Sequence, residues 1–555
     1  MNIIKKLRIL LLLPVVFLTV TCTKLKDTCY DCLLTDQFTP SQSDVGALLS
    51  PAYLQWRELF NKWNSYFWAQ EICADELVIP RRPGGWYDGG VYERMHEHNW
   101  SVDEAILVSN WQRAYNGISA CNRIIEQVQN DVISLGADKA QAIAELRVLR
   151  TTFYYVLCDL FGNVPIMTQF TVESDYLPDQ NTRKEVFDFI IKELKESIPD
   201  ISDKVDVSTY GRMNKYVAHT LLAKMCLNAK VYTGEEKWDE CIAYCDSVIN
   251  SGKYIIEPNR KTVYATQNEG SKEAIWAIVF DHKYMTPYWS DWNAFDHHMQ
   301  SLPEEFQAMF KFKNNPWSGL SAIPQFINSF DTLNDKRFTE QWYRGGPFYD
   351  ANGNVIKQSS KSIDPSLQGK PLMLYNFLYA AQSQENEHTM GYRLGKFEYA
   401  KESYSILDND YPFFRYADIL MMKAECLLRT GNADAAAVLV NQVRARNFST
   451  GGVLTGTDLM QGSNYDYGRR DVVKTTHEGG ANIQYGRFLD ELGYEFFEES
   501  RRRQDMIRFG IFHTKSWLSH DAHNNINKTL IPYLHPFSIP MAICIKIPVT
   551  KFYKY

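Results

Sequence analysis

Apolar residues recurring every three to four positions, in segment after segment, constrain this chain more than any other feature. They leave room for little besides paired amphipathic helices. Trp111, Ala114, Tyr115, Ile118, Cys121, Ile125 and Val128 fall on one helical stripe. Leu146, Leu149, Phe153, Val156 and Leu160 keep a strict three-four spacing, which Gly162 and Pro165 end. Val217, Leu221 and Met225 begin a further helix, and Trp238 to Ile249 supplies its partner after a turn at Thr233-Gly234. Towards the C-terminus, Tyr411 to Arg429 and Ala433 to Val443 make another pair across Thr430-Gly431-Asn432. Small residues stand where such helices cross closely: Gly117 and Ala120, Ala218 and Ala223, and Ala424.

Helix–turn–helix units with small crossing residues resemble tetratricopeptide repeats, which bury a core only by stacking. The period is irregular here, so the expected fold is mainly α: helix pairs forming a scaffold, decorated by other segments. Those segments have a different texture. From about Tyr254 to Asp410 the chain is rich in Gly, Pro, Asn and aromatic residues and shows little helical period. Ala274 to Phe280 (AIWAIVF) predicts a buried strand, and Arg344-Gly-Gly-Pro and Asn352-Gly-Asn predict turns. Residues Ala74 to Trp100 share this character. Long irregular stretches on a rigid scaffold are where binding is usually found.

The N-terminus carries an address. Lys5, Lys6 and Arg8 precede an apolar run from Ile9 to Val20, too short to span a bilayer as a stable helix. Residues 1–21 are therefore expected to be a secretory signal peptide. Thr21 then leads into Cys22, a placement that resembles the bacterial lipoprotein signal, in which that thiol is lipidated. Several acyl chains, each buried CH₂ contributing about 0.8 kcal/mol, would hold a water-soluble chain at a membrane surface. The net charge is −7, and removing the three cations of the leader takes it to −10. That argues against nucleic acid or anionic lipid as the main partner. Of the eleven cysteines, Cys121, Cys158, Cys226 and Cys426 lie in apolar helical patterns, where a free thiol acts as a small hydrophobe. Cys29 and Cys32 form a lone C-x-x-C, which suits a local disulfide or two idle thiols better than a metal or redox site.

A family resemblance rests on longer stretches. These are AYNGISACNRII at 114–125, AELRVLRTTFYYVLCDLFGNVPI at 144–166 and GRMNKYVAHTLLAKMCLNA at 211–229. LNDKRF at 333–338, FFRYADILMMKAECLLRTGNADAAAVLVNQVRARN at 413–447 and FLDELGYEFFEESRRRQDMIRFG at 488–510 follow in order. Together they resemble the SusD-like (RagB/SusD) nutrient-binding outer membrane lipoproteins of Bacteroidetes. The resemblance implies one domain over residues 22–555, with a helical scaffold at about 40–73, 101–253 and 411–510 and variable ligand-binding segments at about 74–100 and 254–410. It also implies an outer membrane location with a lipid anchor at Cys22, facing the cell exterior. The implied partner is a SusC-like TonB-dependent transporter, the implied ligand an oligosaccharide or polysaccharide, and no cofactor or metal is implied.

Capturing a sugar needs aromatic platforms, because a pyranose ring offers apolar C–H faces while its hydroxyls want polar neighbours. Aromatic residues make up 14% of this chain, and two clusters in irregular segments suit the task. One is Arg81-Arg82-Pro83-Gly84-Gly85-Trp86-Tyr87, continuing to Tyr92 and Trp100. The other is Tyr288-Trp289-Ser290-Asp291-Trp292, with Trp317, Trp342 and Tyr343 as weaker candidates. The expected binding residues are Arg81, Trp86, Tyr87, Tyr288, Trp289 and Trp292, forming a shallow arc.

A surface glycoside hydrolase is the competing reading, and needs two facing carboxylates. The acidic pairs Asp75-Glu76, Glu304-Glu305, Asp490-Glu491 and Glu498-Glu499 are adjacent in sequence, which points them apart on a helix. The last two are expected to pair with Arg501–Arg503. His297-His298 lack the spacing of a helical zinc pair, and no nucleophile-elbow, P-loop or dinucleotide motif occurs. The expectation is a binding protein and no enzyme; a peptide in place of a glycan is the other open ligand.

Overall fold

The three-four stripes fold as helices, and each helix lies against the next. The computed structural model describes residues 42–522, apart from 62–63, 84, 174, 285–300, 380–384 and 405–406. The leader, Cys22, Cys29, Cys32, the segment carrying Tyr288, Trp289, Trp292, His297 and His298, and residues 523–555 lie outside the described residues.

The longer helices are α1 Gln42–Asn61, α2 Ala105–Gln129, α3 Lys139–Leu160, α4 Arg183–Ser197 and α5 Lys215–Leu227. They continue with α6 Trp238–Ile249, α7 Tyr416–Arg429, α8 Ala433–Arg444, α9 Gly486–Phe496 and α10 Arg502–Arg508. α1 packs on α2, α2 on α3, α3 on α4, α5 on α6, α6 on α7 and α7 on α8, with α4 also touching α5. The stack is therefore continuous although the chain leaves it for more than 150 residues between α6 and α7. Local chemistry starts the helices: Thr182 and Glu185 form a reciprocal capping box on α4, and Asn214 accepts from the Tyr216 and Val217 amides at the start of α5. At the α2–α3 crossing a Cβ on Gly117 would sit 2.2 Å from the Phe153 ring, so only glycine allows that approach. None of the described helices is long and apolar enough to cross a membrane.

The strands are short. β1 Leu77–Val78 pairs with β3 Ser321–Ala322, β2 Ala274–Ile278 with β6 Tyr411–Arg415, and β4 Trp342–Tyr343 with β5 Arg393–Leu394, all antiparallel. β7 Gly468–Arg469 runs parallel to β8 Trp517–Leu518. The expected strand at 274–280 ends at Ile278. The helix expected from Tyr411 begins only at Tyr416, because Tyr-Pro-Phe-Phe-Arg is β6. Pro412 disfavours helix, and neighbouring Phe413 and Phe414 have core on both sides of a strand. Phe413 meets Trp56 edge-on at 5.2 Å, and Trp276 of β2 stacks on Trp56 at 4.9 Å. That aromatic knot joins α1 to the β2–β6 pair. Seven cysteines, Cys73, Cys121, Cys158, Cys226, Cys241, Cys245 and Cys426, are buried and free.

Beneath the irregular region lies a buried ionic layer. All five guanidinium donors of Arg415 are engaged: Nε and Nη2 on Glu499, Nη1 on Glu273 and Glu495, and Nη2 on the Glu495 carbonyl, at 2.7–3.0 Å. Arg446 joins Glu273 and Glu495, and Lys396 joins Glu499 at 2.5 Å. Arg337 and Arg444 close on Glu491. These groups come from β6, from α8 and α9 with the turns that follow them, and from Glu273, Arg337 and Lys396 of the irregular region, so the layer bolts scaffold to decoration.

Candidate glycan-binding loop

The Arg81–Tyr87 loop leaves β1, whose partner β3 lies over 240 residues later in the chain. Arg82 fixes the loop from inside. Its Nη1 donates to the Glu387 carbonyl at 2.5 Å, and its Nη2 to Ser321 Oγ at 2.7 Å and the Met390 carbonyl at 3.0 Å. Arg393 donates to the same Ser321 hydroxyl and to the carbonyls of His388, Met390 and Gly391. Neither guanidinium has a carboxylate in salt-bridge contact among the described residues. Burial, then the neighbouring Arg393 charge, pulls Arg82 well below the usual arginine range, and burial pulls Arg393 down to about 9. Above this anchor the amides and carbonyls of Arg82 and Gly85 pair reciprocally, at 3.3 and 3.1 Å, closing a tight turn.

The turn sends its two aromatics in opposite directions. Trp86 has φ +63° and turns inward. Its ring is only 9% exposed, its Nε1 donates to the Trp317 carbonyl, and its face lies on Gly319, where a Cβ would come within 2.5 Å. Tyr92 and Trp317 complete the enclosure at 5.9 and 6.4 Å. Trp86 therefore departs from the expected arc: it presents no stacking face and serves as the floor of the loop. Tyr87 is 48% exposed, and the Arg81 guanidinium lies 5.1 Å from its ring centre. Arg81 also meets Glu385 at 3.5 Å, and its carbonyl accepts from Asn386 N at 2.8 Å. Asn386 Oδ1 in turn accepts from Tyr379 N, which packs edge-on to Phe377 at 5.0 Å. Tyr375 and Phe377 are about half exposed, at 53% and 47%.

Arg81 and Tyr87 are thus brought together, beside a second aromatic segment (Tyr375, Phe377, Tyr379) that sequence reasoning missed. Its signal was the alternation Tyr-Asn-Phe-Leu-Tyr in an irregular stretch. Trp342, a weaker candidate, is buried and stacked on Phe497 at 4.6 Å. Tyr343 is half-buried against Phe306 and Phe310. Tyr288, Trp289 and Trp292 lie outside the described residues.

Most acids of these pairs are engaged in structural contacts, though with other partners than expected. Arg502 holds Asp75, at 2.6 and 2.9 Å, and Glu76 at 3.2 Å, while Tyr467 donates to Asp75 at 2.6 Å and Tyr465 donates to its carbonyl. Arg503 meets Asp159, and Arg501 meets Asp418 and Asp505. Glu491 and Glu499 are taken by the ionic layer, Asp490 by Ser463 and the Asn464 amide, and Glu304 by Lys361. The pairing expected between the two C-terminal acidic pairs and Arg501–Arg503 is thereby corrected: all three arginines reach acids brought in from other segments or further along α10. Among the described residues, Asp281, His282 and Asp408 group metal-ligand atoms within 4.8 Å. His282 Nδ1 already lies 2.7 Å from Asp408, so those two side chains are hydrogen-bonded to each other.

Comparison with known proteins places this geometry. Residues 272–535 match the SusD family, and residues 82–227 match a family described as starch-binding and associating with the outer membrane. The starch-binding protein SusD of Bacteroides thetaiotaomicron is 23% identical over 86% of this chain and 84% of its own length. SusD-like protein P25 of Formosa agariphila is 21% identical over 74% of each chain. Among solved structures, a SusD superfamily protein from Parabacteroides distasonis superposes with a TM-score of 0.63 at 19% identity, over 85% of this chain and 89% of that one. Surface glycan-binding protein A of Bacteroides thetaiotaomicron, in complex with laminarihexaose, superposes with a TM-score of 0.63 at 18% identity, over 88% of this chain and 97% of that one. This chain is therefore SusD-like: a SusD family match and a starch-binding, outer-membrane-associating family match fall on different parts of it, and its fold is that of the SusD superfamily structure.

Proposed function

We propose that this chain is a cell-surface glycan-binding lipoprotein that captures oligosaccharides or polysaccharide and delivers them to a SusC-like TonB-dependent transporter. The observation that carries the reading is Tyr87: a half-exposed ring, backed by Arg81, on a loop held from below by Arg82 and Trp86. A ring held rigid before the ligand arrives loses little freedom on binding, which is what a stacking platform requires. Relatives bearing starch-binding and glycan-binding names support the ligand class. Tyr288, Trp289 and Trp292 complete the proposed ligand contacts, with Arg81 hydrogen-bonding at the rim.

Tyr87→Ala should weaken glycan binding about tenfold, since an exposed stacked aromatic contributes on the order of 1–2 kcal/mol. Its melting temperature should stay at the wild-type value. A glycan array with peptide competition gives the ligand, and affinity electrophoresis gives the ratio. Unchanged affinity for every glycan bound would overturn the assignment, and binding displaced only by peptides would favour the peptide reading. The purified protein should also leave its glycan intact; reducing ends that appear and then vanish on mutating an acidic pair would favour the hydrolase.

The anchor is proposed at Cys22. In a strain lacking the transporter, Cys22→Ala should move the protein from the membrane fraction to the soluble pool. Retention at the wild-type level would sink that proposal. The chain has no described spanning helix, so passage across the membrane falls to the partner, and the helical scaffold is the proposed docking face. Co-purification with the transporter from mild detergent is the expected result.

A further inference from the structure

Four of the buried thiols lie where α5, α6 and α7 pack together: Cys226 on α5, Cys241 and Cys245 on α6, and Cys426 on α7. Two contacts fix how α6 and α7 run past each other. The Arg429 guanidinium sits 5.1 Å from the Trp238 ring centre, and Lys423 Nζ reaches Asp246 at 2.5 Å. Positions rise on one helix as they fall on the other, so the pair is antiparallel. Cys241 lies about one turn beyond Trp238, and Cys426 about one turn before Arg429, which sets them opposite each other between the two contacts. Both are fully buried. Their thiols are in side-chain contact, and Cys245 also touches Cys241.

Facing positions on closely packed helices suit a disulfide. With axes about 8–10 Å apart and Cα atoms about 2.3 Å from each axis, facing Cα atoms come to roughly 4–6 Å. That range overlaps the about 4.4–6.8 Å that a disulfide spans. The other neighbour of Cys241, Cys245, stands one turn along the same helix. Cβ atoms so placed are about 5–6 Å apart, too far for the about 3.5–4.5 Å of a disulfide. Nor do the four thiols form a metal cage: among the described residues, Asp281, His282 and Asp408 alone group ligand atoms within 4.8 Å.

We infer that Cys241 and Cys426 are joined by a disulfide in the mature, exported protein, closing the excursion of more than 150 residues that the chain makes between α6 and α7. The structure shows the pair in its thiol form. Forming the S–S bond takes two protons and two electrons from the thiols. The acceptor is the disulfide of a thiol–disulfide exchange protein in the oxidising compartment outside the cytoplasm, which leaves as a dithiol. The step belongs to folding. Burial holds both thiols well above the ordinary thiol range, so the reactive thiolate is available only before α6 and α7 close on each other. A cross-link around so long a loop restricts the unfolded chain strongly. The inference takes from the proposed function only export through the leader, and needs no glycan.

The test is peptide mapping of the full chain, exported by its own leader, with free thiols alkylated in denaturant and no reductant added. A Cys241 peptide joined to a Cys426 peptide is the expected result, and dithiothreitol should separate the two. The unreduced protein should melt on the order of 4 °C above the reduced one. Cys241→Ala and Cys426→Ala should each abolish that difference. Alkylation of both thiols, or a link from either to Cys226 or Cys245, overturns the inference, and the wild-type map shows this without any variant having to fold. A second sample is unfolded, reduced and refolded with oxidised glutathione, which each new disulfide converts to two glutathiones. Should the chain stay in the cytoplasmic fraction, the export reading fails, and the glutathione sample decides the cross-link by itself.

Discussion

Arg415→Met is expected to cost about 3–5 kcal/mol of folding stability, the usual consequence of removing one member of a buried ion cluster. The side chain is fully buried and fills all five donors on Glu273, Glu495 and Glu499. Methionine matches its volume but leaves those carboxylates short of a counter-ion, and the desolvation penalty of an uncompensated charge dominates the loss. Burial raises the Glu495 and Glu499 pKa values. For Glu495 the arginines Arg446, Arg415 and Arg337 more than offset this, and for Glu499 Arg415 and Lys396 do, so both carboxyls titrate below their ordinary range. Their folded values being depressed, this stabilisation is present above the unfolded value, about 4.3, and is lost as pH falls through the folded one. In the variant the same acids protonate more readily. The gap between wild type and Arg415→Met, read by urea titration at a series of pH values, should therefore narrow below about pH 4. A gap that stays constant with pH would mean that lost packing, not lost charge, is responsible.

Trp86→Ala is the second large effect, about 3–5 kcal/mol for emptying an enclosed indole site. The cavity left would be walled by Gly319, Trp317 and Tyr92, on backbone that short strands hold in place. Trp86→Phe keeps most of the volume and gives up the hydrogen bond to the Trp317 carbonyl, so about 1 kcal/mol should be lost. Denaturant titration distinguishes the two variants. If Trp86→Ala weakened glycan binding with no loss of stability, the indole would be a platform after all, and Tyr87 would lose its place as the exposed ring of the pair.

Why the sequence led to the loop but not to its outward face is a matter of range. Glycines flanking aromatics mark a strained turn locally, and Arg82 and Gly85 do close one. Which ring then turns inward depends on Gly319 and Trp317, more than 230 residues away, and no local pattern carries that information. The helical stack was legible for the opposite reason: a three-four stripe is local, and a burial face of any partner satisfies it. Two-residue strands such as β4 and β5 lie below the length at which alternation can be seen. Arg501, Arg502 and Arg503 show the same limit. Adjacent arginines after a run of acids suggested short-range pairing, but only the i,i+4 contact of Arg501 with Asp505 is local. Asp75, Asp159 and Asp418 are reached across the fold, because buried charges are matched wherever the tertiary structure delivers an acid.

The contact between Asp75 and Arg502 joins residues 427 positions apart, and Tyr465 and Tyr467 reach the same aspartate across about 390. Contact order of this kind slows folding, because loop-closure entropy must be met before the distant contacts stabilise anything. The loop-bearing N-terminal third therefore cannot settle until nearly the whole chain is present. An N-terminal fragment ending before α10 would carry Asp75 buried without its cation, and the C-terminal remainder would carry Arg502 in the mirror condition. The two pieces, useless apart, are suited to reassemble by supplying each other's missing charge.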